Sequence, residues 1–428
     1  MKVGIYTLGC KVNAYESEYV MNLFKEKGYT ICSYDDVCDI YIINTCTVTN
    51  QSDSKSRKII RSAIRNNPDA CVVAMGCFIE ANKDNLIDGV DIYIGNKDKS
   101  RAVELVEEYF DNKKQITNLY SDLGNKFEDM EIKNFEGRTR AFVKIQDGCE
   151  NFCSYCIIPY VRGKCRSKSK DKVIEEIKSL VQNGYKEIVL TGIHTGNYGR
   201  DLDTNFAELL REIVKIDGLY RLRISSIEIT ELTDEVLEII KDNPVIANHL
   251  HIPLQAGSDV ILKNMNRKYD TEYFYNRINK IREIRPDISI TTDVIVGFPG
   301  EDENLFEECI EFCKKIKFSK IHVFPYSVRK GTPAAKFPNQ IDNALKKERA
   351  RILIDVSKKL EEEYMMKFLN TKVDVLVEQN KDGYSYGHTS NYLLIKLEGK
   401  YTSEEVINAE ILELEYPCCI AKELVKEK

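Results

Sequence analysis

Three cysteines stand close together in the run Cys149-Glu-Asn-Phe-Cys153-Ser-Tyr-Cys156. Three thiolates on one tight loop can hold three irons of a cubane cluster and leave the fourth iron open to a ligand that is not protein. An open iron is what activation of a bound cofactor requires. The competing use of such a loop is a structural zinc site, which needs a fourth protein ligand and usually shows paired spacings or histidines. Cys165 is the conceivable fourth thiol, but it sits in the cation-rich run RGKCRS with no histidine nearby in sequence.

Three further cysteines are scattered, yet each holds the same place relative to a β-rich run. Cys10 follows VGIYTL, Cys46 follows DIYIINT and Cys77 follows ACVVAM. In an open parallel sheet the carboxyl ends of neighbouring strands face a common crevice, so these thiols can converge although dozens of residues separate them. A second cluster with an open iron is the expectation. A single cysteine after a buried strand is ordinarily a small core hydrophobe; the shared register of three is what argues otherwise. Cys32, Cys38, Cys71, Cys309, Cys313, Cys418 and Cys419 show no such pattern and read as core or surface thiols.

The elements that must position these residues fall into three groups within an α/β chain. Residues 1–115 alternate strands with amphipathic helices and predict an open parallel α/β sheet. Residues 116–137 are polar with little periodicity and read as a linker. Residues 138–365 repeat the strand–helix rhythm six times, through RAFVKIQD, EIVLTG, RLRISS, HLHIPL, ISITTDVIV and KIHVFPYS. That predicts a partial (β/α) barrel, with Cys149 just past its first strand, at the end where such barrels place their chemistry. A long charged helix, from about Asp342 to Phe368, closes the unit. Residues 366–428 change to short strands joined by polar turns and predict a small β-barrel.

Composition narrows the classes further. With 43% hydrophobic and 30% charged residues in 428 the chain is globular, not fibrous or disordered. No secretory segment or apolar run of membrane-spanning length is present, so a cytoplasmic protein without membrane contact is expected. Fourteen cysteines in that setting point to metal or catalytic roles before disulfides. A net charge of −6 gives no global sign of nucleic-acid binding and none of DNA binding, so an RNA site would have to be local. Residues 138–172 carry nine Lys and Arg against three acids, among them Arg162, Lys164 and Arg166. A second basic run after Cys46 includes Arg57, Lys58 and Arg61.

The C-x3-C-x2-C loop resembles the signature of radical S-adenosylmethionine enzymes, and its continuation IIPYVRGKCRS is similar to the methylthiotransferases among them. The motifs Gly9-Cys10-Lys11-Val12-Asn13 and Asn44-Thr45-Cys46-Thr47-Val48-Thr49, with IVLTGIHTGNYG, most resemble the threonylcarbamoyladenosine branch of the tRNA methylthiotransferases, MtaB. The resemblance implies two [4Fe-4S] clusters, on Cys149, Cys153 and Cys156 and on Cys10, Cys46 and Cys77, and S-adenosylmethionine as cofactor. It implies a methylthio group placed on C2 of N6-threonylcarbamoyladenosine, 3′ of the anticodon. The tRNA anticodon stem-loop would then be the partner, with a one-electron donor such as flavodoxin or ferredoxin. No catalytic side chain beyond the clusters is required.

Barrel-end residues Thr191, Gly192, Ser226, Glu228, Gln255 and Asp293 are the candidates for cofactor contact, each also readable as a structural barrel-end residue. The C-terminal segment resembles a TRAM domain, whose Tyr386 and Tyr392 could stack bases. Residues 365–428 hold eight Lys and eleven acids, however, which argues against broad electrostatic capture by that domain. Alternatives left open are the same chemistry on isopentenyladenosine or on a ribosomal protein, and an iron–sulfur RNA-binding protein without turnover.

Overall fold

Six parallel strands form the first sheet of the computed structural model, which describes residues 1–424. Their order is Thr30–Cys32, Lys2–Thr7, Ile40–Thr45, Cys71–Gly76, Ile92–Ile94, Ile116–Asn118. The central strands Ile40–Thr45 and Cys71–Gly76 are buried along their whole length, as a parallel sheet covered on both faces requires. Helices Lys11–Glu26 and Ala102–Asn112 cover one face through Val20, Phe24 and Val106. Helix Asn50–Asn66 covers the other, its Ile60 and Ala63 meeting Tyr41 and Val72.

The stretch 116–137 differs from the linker expected there. Ile116–Asn118 pairs with Ile92–Ile94, and Met130, Ile132 and Phe135 are buried in the central core. A three-residue strand is too short to display a period, and isolated apolar residues in a polar run carry no phase. Tyr15 fixes this segment, its hydroxyl lying 2.7 Å from both the Met130 carbonyl oxygen and Glu176 Oε1.

Six strands of the central unit run parallel in chain order, Arg140–Asp147, Glu187–Gly192, Arg221–Ile224, His249–His251, Ser289–Val296 and Lys320–Pro325, and the two-residue strand Arg166–Ser167 pairs antiparallel with the first of them. Single bridges, Leu222 with Ile246 and Ser226 with His251, join the first three to the last three. Among the described residues the first and last strands do not pair, so the barrel is open on one side. Helix Asn343–Met366 packs against the last strand, Ser357 Oγ accepting from the Ile321 N–H at 2.9 Å.

Five strands, Lys372–Lys381, Tyr384–His388, Leu394–Glu398, Val406–Glu415 and Cys418–Glu423, close a small barrel around Val375, Ile395, Leu397, Ile411 and Cys419. Ion pairs hold it to the central unit. Glu187, fully buried, takes Arg223 at 2.7 Å and Arg221 at 3.1 Å. The same arginines donate to the carbonyls of His388, Thr389 and Ser390, and Arg221 also meets Asp374 at 2.5 Å. Burial alone would raise Glu187, but Arg223, Arg221 and Arg140 outweigh it and bring the carboxyl to about 2. On the opposite side Arg329 clamps the N-terminal unit through Asp53 at 2.9 Å and Thr47 at 2.7 Å.

Candidate active site

The loop after strand Arg140–Asp147 turns at Gly148, whose φ is +75° and where a Cβ would lie 1.9 Å from the Lys164 carbonyl oxygen. Only glycine fits there. The turn is then pinned by backbone bonds: the Cys149 N–H donates to Gly163 O at 3.0 Å, Ser154 N–H to Met265 O at 3.0 Å and Cys156 N–H to Cys153 O at 2.9 Å. Cys149, Cys153 and Cys156 lie within electrostatic reach of one another. Burial raises the Cys149 thiol and pushes Cys156 up to about 12, so these groups ionise readily only when a cation arrives to pair with them. Polar neighbours are already aimed at the sulfurs. Arg267 donates to Cys153 Sγ at 3.3 Å while paired with Glu228, and His194 Nδ1 lies 3.7 Å from Cys149 Sγ.

Cys10, Cys46 and Cys77 sit at the carboxyl ends of three adjacent strands of the N-terminal sheet, Lys2–Thr7, Ile40–Thr45 and Cys71–Gly76. Their thiols interact electrostatically with one another. The approach is close: at Gly9, φ +99°, an added Cβ would meet Cys46 Sγ at 3.1 Å. Burial raises both Cys10 and Cys46. Cys10 is open to a cavity yet has protein on every side, which reconciles its exposure with that shift.

Beside this triad lies a buried hub of charges. Arg162 Nη1 meets Glu16 Oε1 at 2.9 Å and Asp147 Oδ1 at 3.0 Å; Lys144 meets Asp147 Oδ2 at 2.7 Å and Glu16 Oε1 at 2.8 Å; Lys99 also pairs with Glu16. With Arg166 at 3.7 Å from Asp147, four cations face two carboxylates, leaving a positive excess against the thiols. From this hub Arg162 Nε donates to Cys77 Sγ at 3.3 Å, and Asn96 Nδ2 does so at 3.4 Å. Hydrogen bonds and positive charge at a thiolate sulfur are the outer-shell features an iron–sulfur cluster uses.

Among the described residues no group of His, Cys, Asp and Glu converges tightly enough to cage a single metal ion. Three thiols in mutual electrostatic reach are the donor set that a cubane takes, one iron to each.

A cavity of about 860 Å³ opens between the three units. Gly9, Cys10 and Lys11 line it from the N-terminal sheet; Thr191, Gly192, Ser226 and Asp293 from the barrel; and His388, Asn391 and Tyr392 from the small β-barrel. Four of the anticipated cofactor residues therefore share one space. Glu228 instead borders a separate cleft of about 250 Å³ with Cys153 and Arg267. Gln255, with φ +69°, is tied into the barrel by its N–H to Asp293 O at 2.8 Å.

Four of the nine cations in the basic strip anticipated over 138–172 are internal. Lys144, Arg162, Arg166 and Lys168 are buried, and Arg162 and Arg166 lie against Asp147. Neither can meet a phosphate without leaving that carboxylate uncompensated, so their charge serves the hub and only Lys164 of the three named residues is exposed. Helix Asn50–Asn66 does present cations to solvent, at Lys55, Lys58, Arg61 and Arg65, whereas Arg57 folds over the Phe78 ring. Tyr386 is half-buried on its strand. Tyr392 faces the cavity, stacked between His249 and His388 at 4.8 and 4.6 Å.

Residues missed in the sequence also line this space, notably Lys11, Arg223, His249, His251 and His322. The chain has only five histidines, and four of them meet here. Their scarcity and their positions at strand ends, as in HLHIPL and KIHVFPYS, were the available signal. Thr291 Oγ1 bonds both His249 Nε2 at 3.1 Å and His251 Nδ1 at 2.9 Å. Burial holds His249 well below the ordinary imidazole value, so it is neutral.

Residues 143–313 match the radical SAM superfamily, and residues 2–95 match the uncharacterized protein family UPF0004. The chain is 44% identical to the threonylcarbamoyladenosine tRNA methylthiotransferase MtaB of Bacillus subtilis, over 97% of this chain and 94% of that protein. It is 42% identical to the MtaB of Aquifex aeolicus, over 93% and 97% respectively. The tRNA-2-methylthio-N(6)-dimethylallyladenosine synthase of Acetivibrio thermocellus is 36% identical, over 87% of this chain and 79% of that protein. Among solved structures the radical S-adenosylmethionine methyltransferase TsrM of Kitasatospora setae superposes with a TM-score of 0.57. It is 14% identical, the match covers 78% of this chain and 74% of that one, and the likeness is one of fold.

Proposed function

The chain belongs to the MtaB family of tRNA methylthiotransferases, and from that premise we propose that it adds a methylthio group to C2 of N6-threonylcarbamoyladenosine beside the tRNA anticodon. The observation that carries this reading is the shared cavity, where Cys10, the barrel-end residues Thr191, Gly192 and Asp293, and Tyr392 of the small β-barrel border one space. Sulfur source, cofactor and RNA base must meet for such a transfer, and a space bordered by all three units supports that reading.

In this reading residues 1–115 carry one [4Fe-4S] cluster on Cys10, Cys46 and Cys77. Residues 138–365 carry the other on Cys149, Cys153 and Cys156, and residues 366–428 engage RNA; the last four of these lie outside the described residues. Bound there, the clusters supply one-electron activation of S-adenosylmethionine and the sulfur that is transferred.

The protein's own groups hold and screen. Arg267, paired with Glu228, orients Cys153, while Arg162 and Asn96 orient Cys77. The exposed ring of Phe324 offers a stacking surface to a base, whereas the faces of Tyr392 are taken by His249 and His388. Neutral His249 accepts no proton at working pH, so the cavity gains no charge from it. A small electron carrier such as flavodoxin or ferredoxin supplies the electron.

Mass spectrometry of tRNA nucleosides from cells with and without the gene tests the assignment. The deletion strain loses 2-methylthio-N6-threonylcarbamoyladenosine and keeps the unthiolated nucleoside. Unchanged levels, or loss of the methylthio-isopentenyl nucleoside instead, would overturn it.

A further inference from the structure

Most of the basic side chains lining the 860 Å³ cavity already have an acidic partner. Arg223 is forked onto Glu187 at 2.7 and 3.1 Å, Lys320 meets Glu361 at 2.8 Å, His251 meets Asp293 at 3.3 Å and His388 meets Glu378 at 2.9 Å. Burial holds His249 and His322 below the ordinary imidazole value. Lys11 differs: among the described residues its ammonium makes no ion pair and no side-chain hydrogen bond, and it is exposed to the cavity.

Lys11 is the first residue of helix Lys11–Glu26, so its backbone is fixed directly beside Cys10. A second unmatched group shares the lining. His249 is 6% exposed and its buried Nδ1 has no hydrogen-bond partner. The buried imidazole nitrogen is incomplete until a hydrogen-bonding ligand enters, and the unpaired ammonium in the same pocket favours one that is anionic.

Resting on the function proposed above, we infer that Lys11 pairs with the carboxylate of the threonylcarbamoyl arm and that His249 Nδ1 bonds the same arm. Lys11 is thereby the residue that separates this substrate from an adenosine with an uncharged N6 arm. A hydrophobic arm would leave both groups unpaired, and a site built for polar partners rejects a ligand lacking them. Other anions could reach the same ammonium, namely an RNA phosphate or the carboxylate of S-adenosylmethionine, and the test separates them.

Reconstituted holoenzyme is titrated with three anticodon stem-loops of one sequence. They carry threonylcarbamoyladenosine, its uncharged carboxamide, or plain adenosine at the target position, and S-adenosylmethionine is titrated separately. The wild type is expected to bind the carboxylate form about ten- to a hundredfold more tightly than the carboxamide. Lys11→Met removes that preference by weakening the carboxylate form alone, and Lys11→Arg restores most of it. Iron content matching wild type shows that the variants are loaded.

A Lys11→Met enzyme that keeps the preference overturns the inference. So does one that weakens all three RNAs equally, which marks a phosphate contact, or one that weakens S-adenosylmethionine. The functional reading fails by a different sign: wild-type enzyme that binds the threonylcarbamoyl stem-loop but never thiolates it.

Discussion

The two cysteine triads reach similar ends by opposite routes. Cys149, Cys153 and Cys156 are neighbours in the chain, and a glycine turn with three backbone hydrogen bonds is enough to gather them. Cys10, Cys46 and Cys77 are brought together by strand order in a parallel sheet and kept in place by a hub of buried charge whose Arg162 comes from the barrel. The first is a local device. The second is a property of two units docked together, so it should be the more fragile to changes made far from it.

The largest effect that separates them comes from the thiols themselves. Cys156→Ala is expected to abolish S-adenosylmethionine cleavage, measured as 5′-deoxyadenosine, whereas Cys77→Ala abolishes methylthiolation and leaves cleavage in place. Loss of cleavage in both would break the comparison. Next is the hub. Arg162→Met leaves Glu16 and Asp147 buried with Lys144 as their one remaining shared partner, and unfolding free energy is expected to fall by about 3–5 kcal/mol. Iron loss should then fall on the N-terminal site first.

A control away from both triads is Glu187, which ties the small β-barrel to the central one. Its carboxyl, ordinarily at 4.5, is brought to about 2. A depressed carboxyl stabilises the fold above its unfolded value and ceases to do so as pH falls toward the folded one. The stability gap between wild type and Glu187→Gln, about 3 kcal/mol at neutral pH, should therefore shrink between about pH 5 and 2. Iron content at neutral pH should be unchanged. The smallest effect is on RNA. Lys58→Ala with Arg61→Ala is expected to flatten the dependence of log Kd on log salt by about 2 and to leave both iron sites filled.

Legibility in the sequence followed the same division. The barrel loop could be read from spacing alone, and the strands that carry the scattered cysteines from their apolar runs. The strand Ile116–Asn118 and the burial of Met130, Ile132 and Phe135 could not, because their partners are remote and no period marks them. Charge was the most misleading signal. Arg162 and Arg166 read as surface cations by composition, but composition carries no information on which carboxylates fold against them. Tyr392 was singled out for stacking, while Lys11, inside a motif already quoted, passed unnoticed since a lone lysine beside a cysteine looks solvated until the walls around it are known.

Iron and sulfide content of anaerobically reconstituted protein tests the two-cluster account most directly. Wild-type chain should hold about eight irons and eight sulfides, and Cys10→Ala about four of each, with the remainder still supporting S-adenosylmethionine cleavage. About four irons in the wild type, unchanged by Cys10→Ala, would contradict it.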